Sequence, residues 1–301
     1  MKALIGIVCL LMLFGSIQAQ KIYSDMTIAE KKLYDEHIIQ GQPDPDKGPV
    51  YIRQGYILKY NKTYKIADWV AYHIIPDYLN TPKREKKYKY FKTDKSIEDA
   101  VMDKNYTGTG YARGHMAPYF AMGGDRDEDG VYSNLFDDDE DAYDDQTVFE
   151  ANYMSNIAPQ DQNALNGAGG PWYALETKIR KKFVDANDME LNVVVGGIFD
   201  DPDDYETMEG KYGGVGIAIP EWYFQVLIYQ QEDGAYITAG FLFKHVKEKS
   251  ELPYDDLVDY LVPVDSLEDM TGFDFLNELS DELQDRTESV DNREFWVGAG
   301  L

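Results

Sequence analysis

The stretch YARGHMAPYF, residues 111–120, sets Arg113, Gly114 and His115 side by side in a chain of formal net charge −26. Only four histidines occur, His37, His73, His115 and His245, and His115 alone follows an arginine and a glycine. Such a run suits an anionic substrate. A guanidinium holds an oxyanion with paired donors, glycine lets backbone come close, and a neutral imidazole takes a proton near neutral pH. Taken alone, Arg-Gly-His is more often a turn, so the reading depends on what the rest of the chain supplies.

Phosphodiester hydrolysis needs a base, a group to hold the phosphate, and a cation for the charge that builds on it. His115 can be the base and Arg113 the holder. Oxygen ligands for the cation lie downstream, in YMSNIAPQDQNALNGAGGPWYALE, residues 153–176, which contains Asn156, Gln160, Gln162, Asn163, Asn166 and Glu176. Magnesium binds few protein oxygens and keeps several waters. An asparagine before the helix, with Glu176 about 7.5 Å along it from Pro171, fits a hydrated ion. Glu176 is then expected to act through a water. The plainer alternatives are an Asn-rich loop satisfying its own backbone and a glutamate paired with a nearby lysine.

The N-terminal residues MKALIGIVCLLMLFGSIQA have the layout of a secretory signal peptide, a lysine followed by an apolar run and small residues, with cleavage expected after Ala19. The apolar run is short for a bilayer span. The expectation is a secreted protein, extracellular or in a digestive-vacuole lumen, free of membrane once cleaved. The single cysteine, Cys9, lies in that leader, so no disulfide or zinc-thiolate site is expected in the remainder. Two glycosylation sequons begin at Asn61 and Asn105.

Further along, Thr27 with Glu30 three residues on predicts a capped helix over 27–38. Alternating apolar and polar residues over 50–76 predict antiparallel strands, and further strands are expected at 191–199, 215–220, 222–229 and 235–243. Helices are expected over 171–183, with Trp172, Leu175, Glu176, Ile179 and Phe183 on one face, and within 266–283. The segment 81–92, TPKREKKYKYFK, concentrates positive charge. With Arg113 it could form a local cradle for a polyanion that the net charge otherwise repels. Residues 125–145 hold eleven carboxylates and one arginine and read as an exposed insertion. Within them DRDEDG resembles the start of a calcium loop, with Asp125, Asp127 and Asp129 as alternating ligands, although Phe136 stands where a closing glutamate usually falls.

Together, GYARGHMAP and YMSNIAPQ…LN…W..LE resemble the DNA/RNA non-specific endonucleases of the His-Me finger (ββα-metal) superfamily. Flanking segments extend the resemblance over about residues 49–280. It implies an α+β fold, an antiparallel sheet flanked by helices. It implies His115 as general base, Asn166 as the protein ligand of one Mg²⁺ (or Mn²⁺), Arg113 and Glu176 in the same site, and Asn156 in support. DNA and RNA would be the substrates, cut without sequence preference to 5′-phosphate ends. The implied organisation is a signal peptide at 1–19, an N-terminal helix and linker at 20–48, the nuclease domain at 49–283 with an acidic insertion at 121–146, and a tail at 284–301. Three departures stand out. Ala112 replaces the usual acidic residue, Lys89 stands where a second phosphate-binding arginine is expected, and an extra Gly-Gly-Pro separates Asn166 from Trp172. These leave a rival reading, a catalytically lapsed acidic protein that binds calcium or a partner on the same scaffold.

Overall fold

The computed structural model describes residues 20–133, 142–212 and 215–301. Residues 1–19 and residues 134–141, including Phe136 and Asp137 to Asp139, lie outside them. Seven antiparallel strands form the main sheet: β1 (Tyr51–Ile52), β2 (Ile57–Asn61), β3 (Ile66–Ile74), β6 (Leu191–Ile198), β7 (Trp222–Gln230), β8 (Tyr236–Lys244) and β9 (Leu261–Val262), adjacent in that order. β4 (Ala112–His115) and β5 (Ile157–Gln160) pair separately as a two-stranded antiparallel ribbon. The helices are α1 (Ile28–His37), α2 (Ala142–Ala151), α3 (Pro171–Lys178), α4 (Asp185–Asn187), α5 (Val264–Thr271), α6 (Asp281–Glu288) and α7 (Arg293–Gly298).

The central strands are apolar on both faces because both are covered. In β6, Val193 and Val195 pack on one side, whereas Val194 packs on the other. The first side meets Trp172, Leu175, Ile179 and Phe183 of α3 and its continuation, together with Met116, Ile157 and Ala158 of the ribbon segments. The second side meets Val264 and Leu267 of α5 and Leu33 of α1. The result is a helix–sheet–helix sandwich, the antiparallel α+β fold expected from the sequence.

Local chemistry explains the element boundaries. Thr27 caps α1 through the reciprocal box with Glu30. The β2–β3 turn is closed by Asn61, whose Oδ1 accepts from the backbone N–H groups of Thr63 and Tyr64. Pro171 opens α3, where its missing N–H costs nothing. One expected strand is absent: over 215–220, Ala218 makes only an isolated bridge with Thr207. Its N–H instead donates to Tyr64 and that of Ile219 donates to Glu206, so the segment crosses the sheet end without a continuous partner.

The segments read as an exposed acidic insertion and a tail are both packed in part. The acidic insertion ends in α2, where Asp144 and Asp145 are buried. Asp145 pairs with Lys87 at 2.6 Å, and Asp144 accepts from the Arg126 N–H at 2.8 Å. In the C-terminal segment, Trp296 is fully buried and donates its indole N–H to the Thr238 carbonyl at 3.0 Å.

Candidate active site

The β4–β5 ribbon places Arg113 opposite Pro159 and His115 opposite Ile157. Residues two apart on a strand share a face, so Arg113 and His115 point the same way while Ala112 and Gly114 point the other. Glycine is required at 114 by Gln160 rather than by an approaching ligand: a Cβ there would lie 2.1 Å from Gln160 Oε1.

His115 Nε2 lies 3.2 Å from Asn152 Oδ1. The Asn152 amide is oriented by its own Nδ2, which donates to the Tyr88 carbonyl at 2.9 Å. Its oxygen therefore faces the ring, Nε2 carries the proton, and Nδ1 is the basic nitrogen. Burial and the Arg84 guanidinium hold the imidazole pKa down, to about 3, against the weaker opposing pull of Asn152, so the ring is neutral at physiological pH. The other histidines are committed elsewhere. His37 is buried with Nε2 on the Gln54 carbonyl and Nδ1 accepting from the His73 N–H. His245 bridges the Pro220 carbonyl and the Asp161 N–H. His73 faces Glu36 at 4.0 Å.

Two guanidiniums flank this histidine. Arg84 lies 4.3 Å and Arg113 5.6 Å from the centre of the Phe91 ring, itself 5.4 Å from the His115 ring. Arg84 Nε donates to Asn152 Oδ1 at 3.2 Å. Arg113 is held by Asp103, with Nε 2.6 Å from the carboxylate and Nη2 donating to the carbonyl at 2.7 Å. Asp103 thus supplies from another loop the acidic neighbour that Ala112 lacks. Lys89 is exposed and stacks over Tyr90 at 4.8 Å, and Lys87 is tied to Asp145. Of the basic segment, Arg84 is the residue brought to His115.

Asn156 is fully buried with its amide saturated. Nδ2 donates to Ala117 and Ala151 carbonyls, and Oδ1 accepts from the Ala117 N–H. It clamps the chain just after His115 and offers no free atom to a ligand.

Asn166 ends a π-helical turn, Gln162–Asn166, capped by Asp161. Its Nδ2 donates to Gln160 Oε1, which leaves Oδ1 without a hydrogen bond among the described residues. The extra glycines form a tight turn, with the Gly170 N–H on the Gly167 carbonyl at 2.8 Å and Gly169 at φ +91°. Glu176 accepts from the Trp172 indole at 2.9 Å through Oε1, and burial raises its pKa to about 7. A free amide oxygen and a carboxylate with one oxygen engaged are hard oxygen donors, the chemistry that suits Mg²⁺. Three further carboxylates, Asp125, Asp127 and Asp129, present oxygens within 4.8 Å of one another.

Asn152, Phe91 and Asp103 line the candidate site and are passed over by the motif reading. Asn152 stands four residues before Asn156 in NYMSN, a spacing that could have drawn attention to it. Phe91 and Asp103 carry no local signal.

Fold and site together define a nucleic-acid hydrolase. The chain belongs to the DNA/RNA non-specific endonuclease family, whose model matches residues 34–282. That family is metal-dependent. The chain is 31% identical over 241 residues to a nuclease of Serratia marcescens, covering 77% of each chain. It is 27% identical to a nuclease of Nostoc over 85% of its own length and 86% of that protein, and 28% identical to a mitochondrial nuclease of Saccharomyces cerevisiae over 77% and 68%. A chain of the EndoG/EndoGI complex shares the fold, with TM-score 0.62 and 20% identity over 83% of this chain and 94% of that one. Among the described residues, no helix is long and apolar enough to cross a membrane.

Proposed function

We propose that the protein is a secreted, Mg²⁺-dependent endonuclease that hydrolyses DNA and RNA without sequence preference and leaves 5′-phosphate ends. The observation that carries the reading is the hydrogen bond between His115 Nε2 and Asn152. It fixes the tautomer in which Nδ1 can take a proton from the attacking water. Arg113 and Arg84 bind non-bridging phosphate oxygens, and Phe91 holds both guanidiniums apart from bulk water on one side. Asn166 through Oδ1, and Glu176 through a water, would hold the metal. When bound, Mg²⁺ supplies positive charge to the pentacovalent phosphate and the departing 3′-oxygen.

Asp125, Asp127 and Asp129 are proposed as ligands of a structural Ca²⁺. Secretion rests on the leader at 1–19. The mitochondrial nucleases among the relatives favour a second reading, import into that organelle. N-terminal sequencing of mature protein and its fractionation separate the two.

Plasmid DNA and RNA incubated with the protein, with and without EDTA, test the catalytic reading. Cleavage that EDTA abolishes and Mg²⁺ restores, with ligatable 5′-phosphate ends, is expected. Absence of cleavage with Mg²⁺ or Mn²⁺ would return the lapsed, binding-only alternative.

A further inference from the structure

A second group of carboxylates lies across the sheet from the ribbon. Residues 264–291 contain ten carboxylates and one basic residue, Arg286, which is exposed. Asp265 and Glu268 are one helical turn apart on α5, so they share a face. Glu288 reaches them from the C-terminal end of α6. One oxygen from each of Asp265, Glu268 and Glu288 lies within 4.8 Å of the others.

Glu288 is the decisive member. It is 2% exposed, and its Oε1 is buried without a hydrogen-bond partner among the described residues. Natural structures rarely leave a buried carboxylate oxygen unpaired unless a ligand meets it. Glu268 has one oxygen engaged, accepting from the Phe275 N–H at 2.7 Å. The charges that press hardest on Glu288, after burial itself, are further carboxylates: Glu268, Asp265, Asp274 and Asp285. Three clustered, partly desolvated carboxylates with no ion pair among the described residues are unfavourable unless a cation or protons neutralise them.

We propose that Asp265, Glu268 and Glu288 form a structural Ca²⁺ site that ties α6 to α5. The donors are all oxygen. Calcium accepts six to eight such ligands in flexible geometry, mono- or bidentate, and tolerates water in the remainder, whereas magnesium demands a near-octahedral set. The position gives the ion a mechanical role. α5 covers one face of the sheet through Val264 and Leu267, and the end of α6 is pinned to β8 by Thr238, whose Oγ1 donates to the Thr287 carbonyl at 2.6 Å. A cation between the helices would lock the chain where it leaves α5 and passes to buried Trp296.

The test uses the full chain carrying Asp127→Asn and Asp129→Asn, so that the acidic loop does not contribute. Melting temperature and Ca²⁺ stoichiometry are measured with and without millimolar CaCl₂. The expected result is a rise of roughly 2–6 °C in calcium. Adding Glu288→Gln should remove the rise and one Ca²⁺ per chain, while the calcium-free melting temperature stays level or increases. Asp265→Asn should act in the same direction. No calcium-dependent rise in the parent would overturn the site and leave shared protons as the neutralising agent. A rise that survives both Glu288→Gln and Asp265→Asn would overturn it equally. Nuclease activity is not the readout, so the result is independent of the catalytic reading.

Discussion

Asn152 Oδ1 accepts hydrogen bonds from two side chains of the candidate site, His115 Nε2 and Arg84 Nε, each at 3.2 Å. One buried amide therefore orients the proposed base and the guanidinium proposed to hold phosphate. Its own orientation is fixed by the Tyr88 carbonyl, so the arrangement is set before substrate arrives.

His115→Ala should lower kcat by about 10²–10⁴-fold with the fold intact, since a positioned base is lost. Asn152→Ala should lower activity less. It should also cost about 1–3 kcal/mol of stability, because buried partners lose their bonds. Asn152→Asp distinguishes orientation from packing. A carboxylate there favours the imidazolium, so the acid limb of the pH–rate profile should move to higher pH. An unmoved limb would mean that Asn152 serves packing alone. Near-wild-type cleavage by His115→Ala would remove the base assignment.

Asn166→Ala should shift the Mg²⁺ dependence of cleavage to higher concentration, with part of the rate recovered at saturating metal. The motivation is that Nδ2 donates to Gln160 while Oδ1 has no hydrogen bond among the described residues. Superimposable Mg²⁺ titrations of variant and parent would show that the ligand lies elsewhere.

Arg84→Ala should reduce kcat/KM more than Lys89→Ala, and it should flatten the salt dependence of DNA binding by about one phosphate contact. Arg84 touches the His115 anchor, whereas Lys89 is exposed over Tyr90. If Lys89→Ala has the larger effect on both KM and salt slope, substrate runs along the outside of the basic segment instead.

His37 gives the fold an acid-sensitive point. Burial, outweighing the attraction of Glu36, lowers its pKa to about 4 from 6.5. As pH falls below 6.5 the unfolded chain takes up the proton first, so stability is full above that value and lost down to about pH 4. The loss amounts to about 3 kcal/mol for this residue. Urea unfolding from pH 7 to 4 should show it, and His37→Gln should have a shallower decline. Equal slopes in the two proteins would refute the assignment.

The capped first helix, the strands of 50–76 and the apolar runs of the central sheet were legible because each depends on neighbours within a few residues. The Thr27–Glu30 box and the Asn61 turn are complete in local sequence. That the Arg-Gly-His segment belongs with the later asparagine segment was implied by the family resemblance, whereas the β4–β5 pairing that joins them was not read from the sequence. The segment at 215–220 misled because its alternation resembles a strand, while partnership in a sheet depends on chain that is distant in sequence.

The sequence by itself determined which groups of the candidate site are present: a histidine, arginines, an amide before a helix and a glutamate on it. The tertiary structure decided which of them meet. It brought Asn152 to Nε2 and so chose the tautomer, brought Asp103 to Arg113 in place of a preceding acid, and set Arg84 rather than Lys89 beside Asn152. It likewise gathered Asp265, Glu268 and Glu288 from two helices. Residue type and local order set chemistry and secondary structure, but a hydrogen bond or an ion pair needs contact within a few ångströms. Among residues far apart in the chain, packing of the sheet and its two covering layers alone fixes that contact.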